Sequence, residues 1–121
     1  MKAMSIFLLI AVFALPGCGK PSSYSSPETE AASRQLMPED ADIAAIYSRS
    51  CASCHTVAAT GAPLTGDALT WAPRMDKGMD VLVDSVINGF GGMPPLGLCM
   101  DCDALQFEAL IQFMATPAAS P

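Results

Sequence analysis

Apolar positions along the chain fall into one unbroken run and three periodic stripes. Ile6 to Leu15 is a run of ten consecutive apolar residues behind Lys2. As a helix it would reach about 15 Å, half of the roughly 30 Å hydrocarbon core, so it reads as the centre of an export signal and not as a membrane span. Further on, Ile43, Ile46 and Tyr47 follow an i, i+3, i+4 spacing, with Pro38, Glu39 and Asp40 suited to the positive end of a helix. Met79, Leu82, Val83 and Val86 repeat the spacing, and Asn88-Gly89 supplies a C-terminal stop. Phe107, Leu110, Ile111 and Met114 form the third stripe, with Asp103 as its N-cap. No segment alternates with period two, which predicts an all-α domain. Turn residues fill the gaps, at Gly61-Ala62-Pro63, Gly66-Asp67 and Gly89 to Pro95.

Between the apolar run and the first stripe the chain changes character. Pro21 to Ser33 carries five serines and two prolines, with Glu28 and Glu30 among them. Such a stretch has too little apolar surface to offset its ordering entropy, so a flexible tether is expected. The organisation predicted is a signal over 1–17, a linker over 18–37, one domain over 38–117 and a short tail over 118–121. A length of 121 residues leaves room for a single domain. Three short helices make a thin core, and domains of that size usually need a staple or a cofactor. The net charge of −6 disfavours nucleic acid as a partner, since phosphate binding needs clustered cations.

The cysteines change the picture most. There are five, with a single histidine, and an odd number leaves one outside any disulfide framework. Cys51-Ala52-Ser53-Cys54-His55 has the spacing of c-type haem attachment. Two thiols one helical turn apart can add to the two vinyl groups of a porphyrin, and the next residue then comes under the iron. A second pair, Cys99-Met100-Asp101-Cys102, opens two other readings. One is a four-cysteine zinc site, the other a thioredoxin-like redox pair. The redox reading lacks a βαβ pattern, and the zinc reading leaves His55 without a role. An exported location favours a Cys99–Cys102 disulfide over free thiolates. Asp103, not histidine, follows Cys102, so a second haem is not supported. Leu15-Pro16-Gly17-Cys18 resembles the lipobox of bacterial lipoproteins, although Pro16 departs from the usual small residue. That resemblance implies that Cys18 becomes the lipid-modified first residue, held on a membrane surface. With Gly19 at the second mature position, it implies the outer membrane of a Gram-negative bacterium, on the periplasmic side.

From about residue 43 to 114 the chain resembles the class I c-type cytochromes, most of all the cytochrome c5 family. The attachment motif is followed in order by Gly61-Ala62-Pro63, Gly66-Asp67, Trp71-Ala72-Pro73-Arg74 and Lys77-Gly78. Asn88-Gly89, Met93-Pro94-Pro95 and Gly97-x-Cys99-x-x-Cys102 complete the series ahead of the last helix. The resemblance implies the class I monohaem cytochrome c fold, with three to five short helices around one covalently attached haem c. It places Tyr47 and Phe113 as aromatic contacts between the first and last helices. It gives Trp71 and Arg74 as hydrogen-bond donors to the haem propionates, beside the simpler reading of Trp71 as a core aromatic, and the two readings of Trp71 are compatible.

Of eight methionines, Met93 stands apart as an iron ligand. It lies in a turn between Gly91-Gly92, which let the backbone come close to a porphyrin, and Pro94-Pro95, which fix the loop beyond. The resemblance puts the methionine ligand in the same loop. Met100 is the minor alternative, and Met79 and Met114 belong to helical stripes. Iron held by His55 and Met93 has no vacant site, and the soft sulfur favours the reduced state. The expected function is therefore one-electron transfer between redox protein partners, such as a respiratory oxidase or reductase, with no catalytic residue. A haem sensor or ligand-binding module and a zinc-stabilised interaction domain stand as the other two classes.

Overall fold

The computed structural model describes residues 25–118, which form six short α-helices and no named strand. In chain order these are α1 (Pro27–Ser33), α2 (Ala41–Ile46), α3 (Ala52–His55), α4 (Ala68–Met75), α5 (Met79–Asn88) and α6 (Ala104–Ala115). None of them is long and apolar enough to cross a membrane. The signal, Cys18 and residues 119–121 lie outside the described residues.

The three stripes become α2, α5 and α6, and their apolar positions make the core. Phe107, Leu110, Ile111 and Met114 of α6 are all buried. They pack with Ile46 and Tyr47 from the first stripe and with Val83 and Val86 of α5. Asp103 caps α6 through a reciprocal pair: its carboxylate accepts from the Gln106 amide, and the Gln106 side chain accepts from the Asp103 amide. The cap of α2 is Asp40, whose carboxylate accepts from the amides of Asp42 and Ile43. Tyr47 meets Phe113 of α6 edge to face, with ring centroids 5.0 Å apart, as the resemblance implies.

Two helices were not anticipated. The tether expected over 18–37 is corrected in its second half, where Pro27–Ser33 forms α1. Ser26 caps it by accepting from the Thr29 amide, Pro27 takes the first turn, and Glu28 and Glu30 meet its positive end. Serine content hid a run of helix-start signals, and α1 is held to the domain by contacts far along the chain. The second is α4, which contains Trp71-Ala72-Pro73-Arg74 and lies outside the three stripes. Pro73 removes only one ladder bond from a helix whose start is capped by Asp67.

Between α2 and α3 the helix widens. Tyr47–Cys51 is a π-helical turn, in which the Ala52 amide donates to the Tyr47 carbonyl. The attachment motif follows it without a break, as the end of the π turn and the whole of α3.

Candidate functional site

The cavity that the helices enclose is about 610 Å³, within the range of small-molecule and cofactor sites. Cys51, Cys54, His55 and Met93 all line it, and so do Trp71 and Arg74. Its apolar wall comes from the core itself, including Val86, Phe107, Leu110, Ile111 and Met114. A flat, largely apolar group with a metal at its centre fits this lining. The structure thus brings to one cavity every cofactor-binding residue expected from the sequence.

His55 is prepared for ligation by its surroundings. It is 7% exposed, and its Nδ1–H donates to the Pro63 carbonyl at 2.8 Å. A carbonyl can only accept, so the proton sits on Nδ1 and the lone pair on Nε2. Burial lowers the imidazole pKa below the ordinary histidine value, with the Arg74 charge acting in the same direction against the Pro63 bond. The ring is therefore neutral, as a metal ligand must be. Trp71 stacks near it, with centroids 6.0 Å apart at 24°. The carbonyl of His55 accepts from the Thr65 amide at 2.8 Å, which closes the loop that carries Pro63.

The two attachment thiols differ. Cys51 is half-buried, and burial pushes its pKa up to about 11, whereas Cys54 is exposed. Cys99 and Cys102 come together separately, with Cα atoms 5.4 Å apart, inside the range of a disulfide. Among the described residues the sulfurs of Cys99 and Cys102 group with the Asp101 carboxylate, and neither Cys51 nor Cys54 joins them. A four-cysteine zinc site is thereby not assembled.

Met93 is held by its own turn. Its amide donates to the Phe90 carbonyl and its carbonyl accepts from the Phe90 amide, at 3.0 and 3.1 Å. Gly97, buried at φ +54°, leaves room for the methionine tip, since a Cβ there would lie 3.2 Å from Met93 Cε.

Trp71 is placed as its simpler reading has it: its Nε1–H donates to the Leu64 carbonyl at 2.8 Å. Trp71 is a buried wall of the cavity, its indole held in place by this bond. Arg74 donates from one guanidinium nitrogen to the Thr70 carbonyl, and its side chain still lines the cavity.

Sequence reasoning missed the main-chain partners, Pro63 and Thr65, and the two helices α1 and α4. A capping signal at Ser26-Pro27-Glu28 was available for α1.

A family model described as cytochrome c oxidase, cbb3-type, subunit III matches residues 38–114. The chain belongs to this cytochrome c family. Cytochrome c-555 of Chlorobaculum tepidum is 48% identical over 48 residues, which are 40% of this chain and 44% of that relative. Cytochrome c-555 of Chlorobaculum thiosulfatiphilum is also 48% identical over 48 residues, 56% of its length. The chain spans about half the length of these curated relatives. A chain from a crystal structure of the electron transfer complex of nitrite reductase with cytochrome c superposes with a TM-score of 0.56 at 33% identity, over 63% of this chain and 93% of that one. The fold is the all-α fold of class I cytochromes c, and the cofactor of the family is one covalently bound haem c. In this chain Cys51, Cys54 and His55 carry the attachment pattern.

Proposed function

We propose that this cytochrome is a one-electron carrier, with the haem joined to Cys51 and Cys54 and its iron held by His55 and Met93. The observation that carries the reading is that a neutral, oriented imidazole and a loop methionine line one apolar cavity. When bound, the haem supplies the one-electron couple of its iron. The chain contributes the rest. His55 and Met93 would together hold the iron and leave it no open site for oxygen or peroxide. The apolar lining excludes water, and Arg74 offers its remaining guanidinium nitrogens to the carboxylates of the porphyrin. Cys99 and Cys102 form a disulfide that fixes the segment between the Met93 loop and the cap of α6. The neighbour from an electron transfer complex supports redox proteins as the donor and acceptor.

Replacing Met93 with Ala should leave the haem covalently attached and lower the potential by on the order of 100 mV, because axial ligands set potentials over a range of about 0.8 V. The Met-to-iron charge-transfer band of the oxidised protein should vanish, and its survival would exclude Met93 as the ligand. We further propose export to the periplasm and lipid anchoring through Cys18, on the outer membrane. Two or more acyl chains hold a protein stably on a bilayer. Cys18→Ser should therefore move the protein from the membrane to the soluble periplasmic fraction, and a wild type already soluble would end this reading.

A further inference from the structure

We infer that the segment from Ser25 to Leu36 is a strap that fixes the loop of the proximal ligand, with Ser33 the positioning residue for His55. The inference rests on the reading of His55 as an axial ligand and adds to it a part of the chain that precedes the matched span of 38–114. Ser33 is fully buried, and its hydroxyl donates to the His55 carbonyl at 3.1 Å. The neighbouring anchors fall on the same loop. The Arg34 Nε–H donates to the Thr56 carbonyl at 3.3 Å, and the Glu30 carboxylate accepts from the Ala58 amide at 3.2 Å. The Ser25 hydroxyl donates to Asp67 at 2.7 Å. Leu36 lies over Gly66, where a Cβ would come within 2.6 Å of Leu36 Cδ1. Every contact of the strap just described therefore lands between residues 55 and 67, the stretch that contains His55 and Pro63.

One carbonyl joins the strap to the ligand loop. His55 O accepts from Thr65 inside the loop and from Ser33 outside it. The Thr65 bond closes the loop and brings the Pro63 carbonyl to His55 Nδ1–H. The Ser33 bond keeps the start of that loop from rocking about α3. Burying a hydroxyl is unfavourable unless it is bonded, so a serine at this position is informative. A firm Nδ1–H bond raises the basicity of an imidazole ligand and favours the oxidised metal. The strap accordingly holds the potential down, and loosening it weakens the Pro63 bond and lets the potential rise.

The test compares the full-length holoprotein with Ser33→Ala, and with Glu28→Ala as a control on the same helix. In Ser33→Ala the ratio of reduced to oxidised protein at a fixed poise should rise about threefold, a shift of under the 59 mV that a tenfold change represents for one electron. Hydrogen exchange at His55 Nδ1–H and at the Thr65 amide should quicken, while the Met-to-iron band stays. Glu28→Ala should change none of these. A lower melting temperature in Ser33→Ala with unchanged potential and unchanged exchange would show a merely structural serine and overturn the inference. Should Ser33→Ala fail to give holoprotein, Glu30→Ala decides by the same readouts, with smaller shifts in the same direction expected and none overturning it. If the wild type shows no histidine-ligated iron, the ligand reading fails by itself. The strap is then judged on exchange at the Thr65 and Ala58 amides, which report the loop whatever binds the metal.

Discussion

Tyr47 and Thr65 show how single side chains tie the haem-attachment segment to the loop behind it. Both are almost fully buried, and their hydroxyls share a hydrogen bond of 2.9 Å. Burial pushes the Tyr47 phenol up from its ordinary pKa, so it stays neutral. Tyr47→Phe would keep the edge-to-face contact with Phe113 and strip the Thr65 hydroxyl of its partner. An orphaned buried hydroxyl costs about 1–3 kcal/mol, and that loss should appear in the urea midpoint with little change in potential. At this scale the chain was legible wherever chemistry dictates side-chain type and spacing. Cys51, Cys54 and His55 announce themselves because a porphyrin fixes their separation, and Met93 because glycines and prolines bracket it. The Pro63 carbonyl that orients His55 left no sign, since any residue carries that acceptor. Trp71 was legible as an aromatic of the site but not as a donor to Leu64, for the same reason.

Helices were legible where several large apolar residues repeat at helical spacing without a proline among them. The stripes of α5 and α6 turn their apolar residues to the core, that of α2 runs on into Tyr47 of the π turn, and their ends follow from Asp40, Asn88-Gly89 and Asp103. For α1 the signals were caps, and it buries only Ser33, whereas in α4 Pro73 interrupts a short stripe whose Trp71 and Met75 pack on the core. Helices of this kind depend on what they are fastened to, which a local pattern does not contain. The end of α5 also governs the ligand loop. Gly89 has φ +79°, and a Cβ there would meet the Met93 carbonyl oxygen at 2.8 Å and the Pro95 nitrogen at 3.0 Å. Gly61 has a similar φ of +75° with nothing near its Cβ position. Gly61→Ala should cost only backbone strain, roughly 1–2 kcal/mol. Gly89→Ala should in addition displace the Met93 turn, and the Met-to-iron band in the oxidised spectrum would weaken or disappear in that variant alone.

The molecule as a whole is arranged around a space rather than around a solid centre. Trp71, Val86 and the buried face of α6 are at once the core and the lining of the cavity. The thin core foreseen from three stripes is thus completed by the cofactor. That much was legible from length and stripe count. How the ends of the chain are fastened was not, because those bonds join residues far apart in sequence. Asp67 is one such junction: it caps α4 through Thr70 and accepts from Ser25 on the strap. Burial alone would push its carboxyl up, but the bonds from Thr70 and Ser25 outweigh it and hold the pKa below the ordinary value. A depressed folded-state pKa adds stability that is present above the unfolded value of about 4 and is lost as pH falls through the folded value. The urea midpoint should therefore drop as pH falls from about 5 through the folded value, and Asp67→Asn should flatten that part of the drop. An equal acid slope in the variant would show that the carboxylate contributes nothing.

The wide turn at Tyr47–Cys51 acts as a phase shifter. A regular α-helix advances about 100° per residue, so one residue more or less swings everything after it by that angle. The π turn absorbs its extra residue just before Cys51, and so sets the azimuth at which both thiols and the imidazole leave the helix axis. The direction of the haem-binding face is thus written in the number of residues between α2 and α3 rather than in their identity. Ser48, mostly exposed and bonded back to the Ala44 carbonyl, is where that count is easiest to alter. Changing Ser48 to Ala keeps the count and should keep the covalent haem. Inserting a further residue beside it exceeds what the turn absorbs and should rotate the motif off the cavity, and the expressed chain would lack the pyridine haemochrome absorbance of a c-type product.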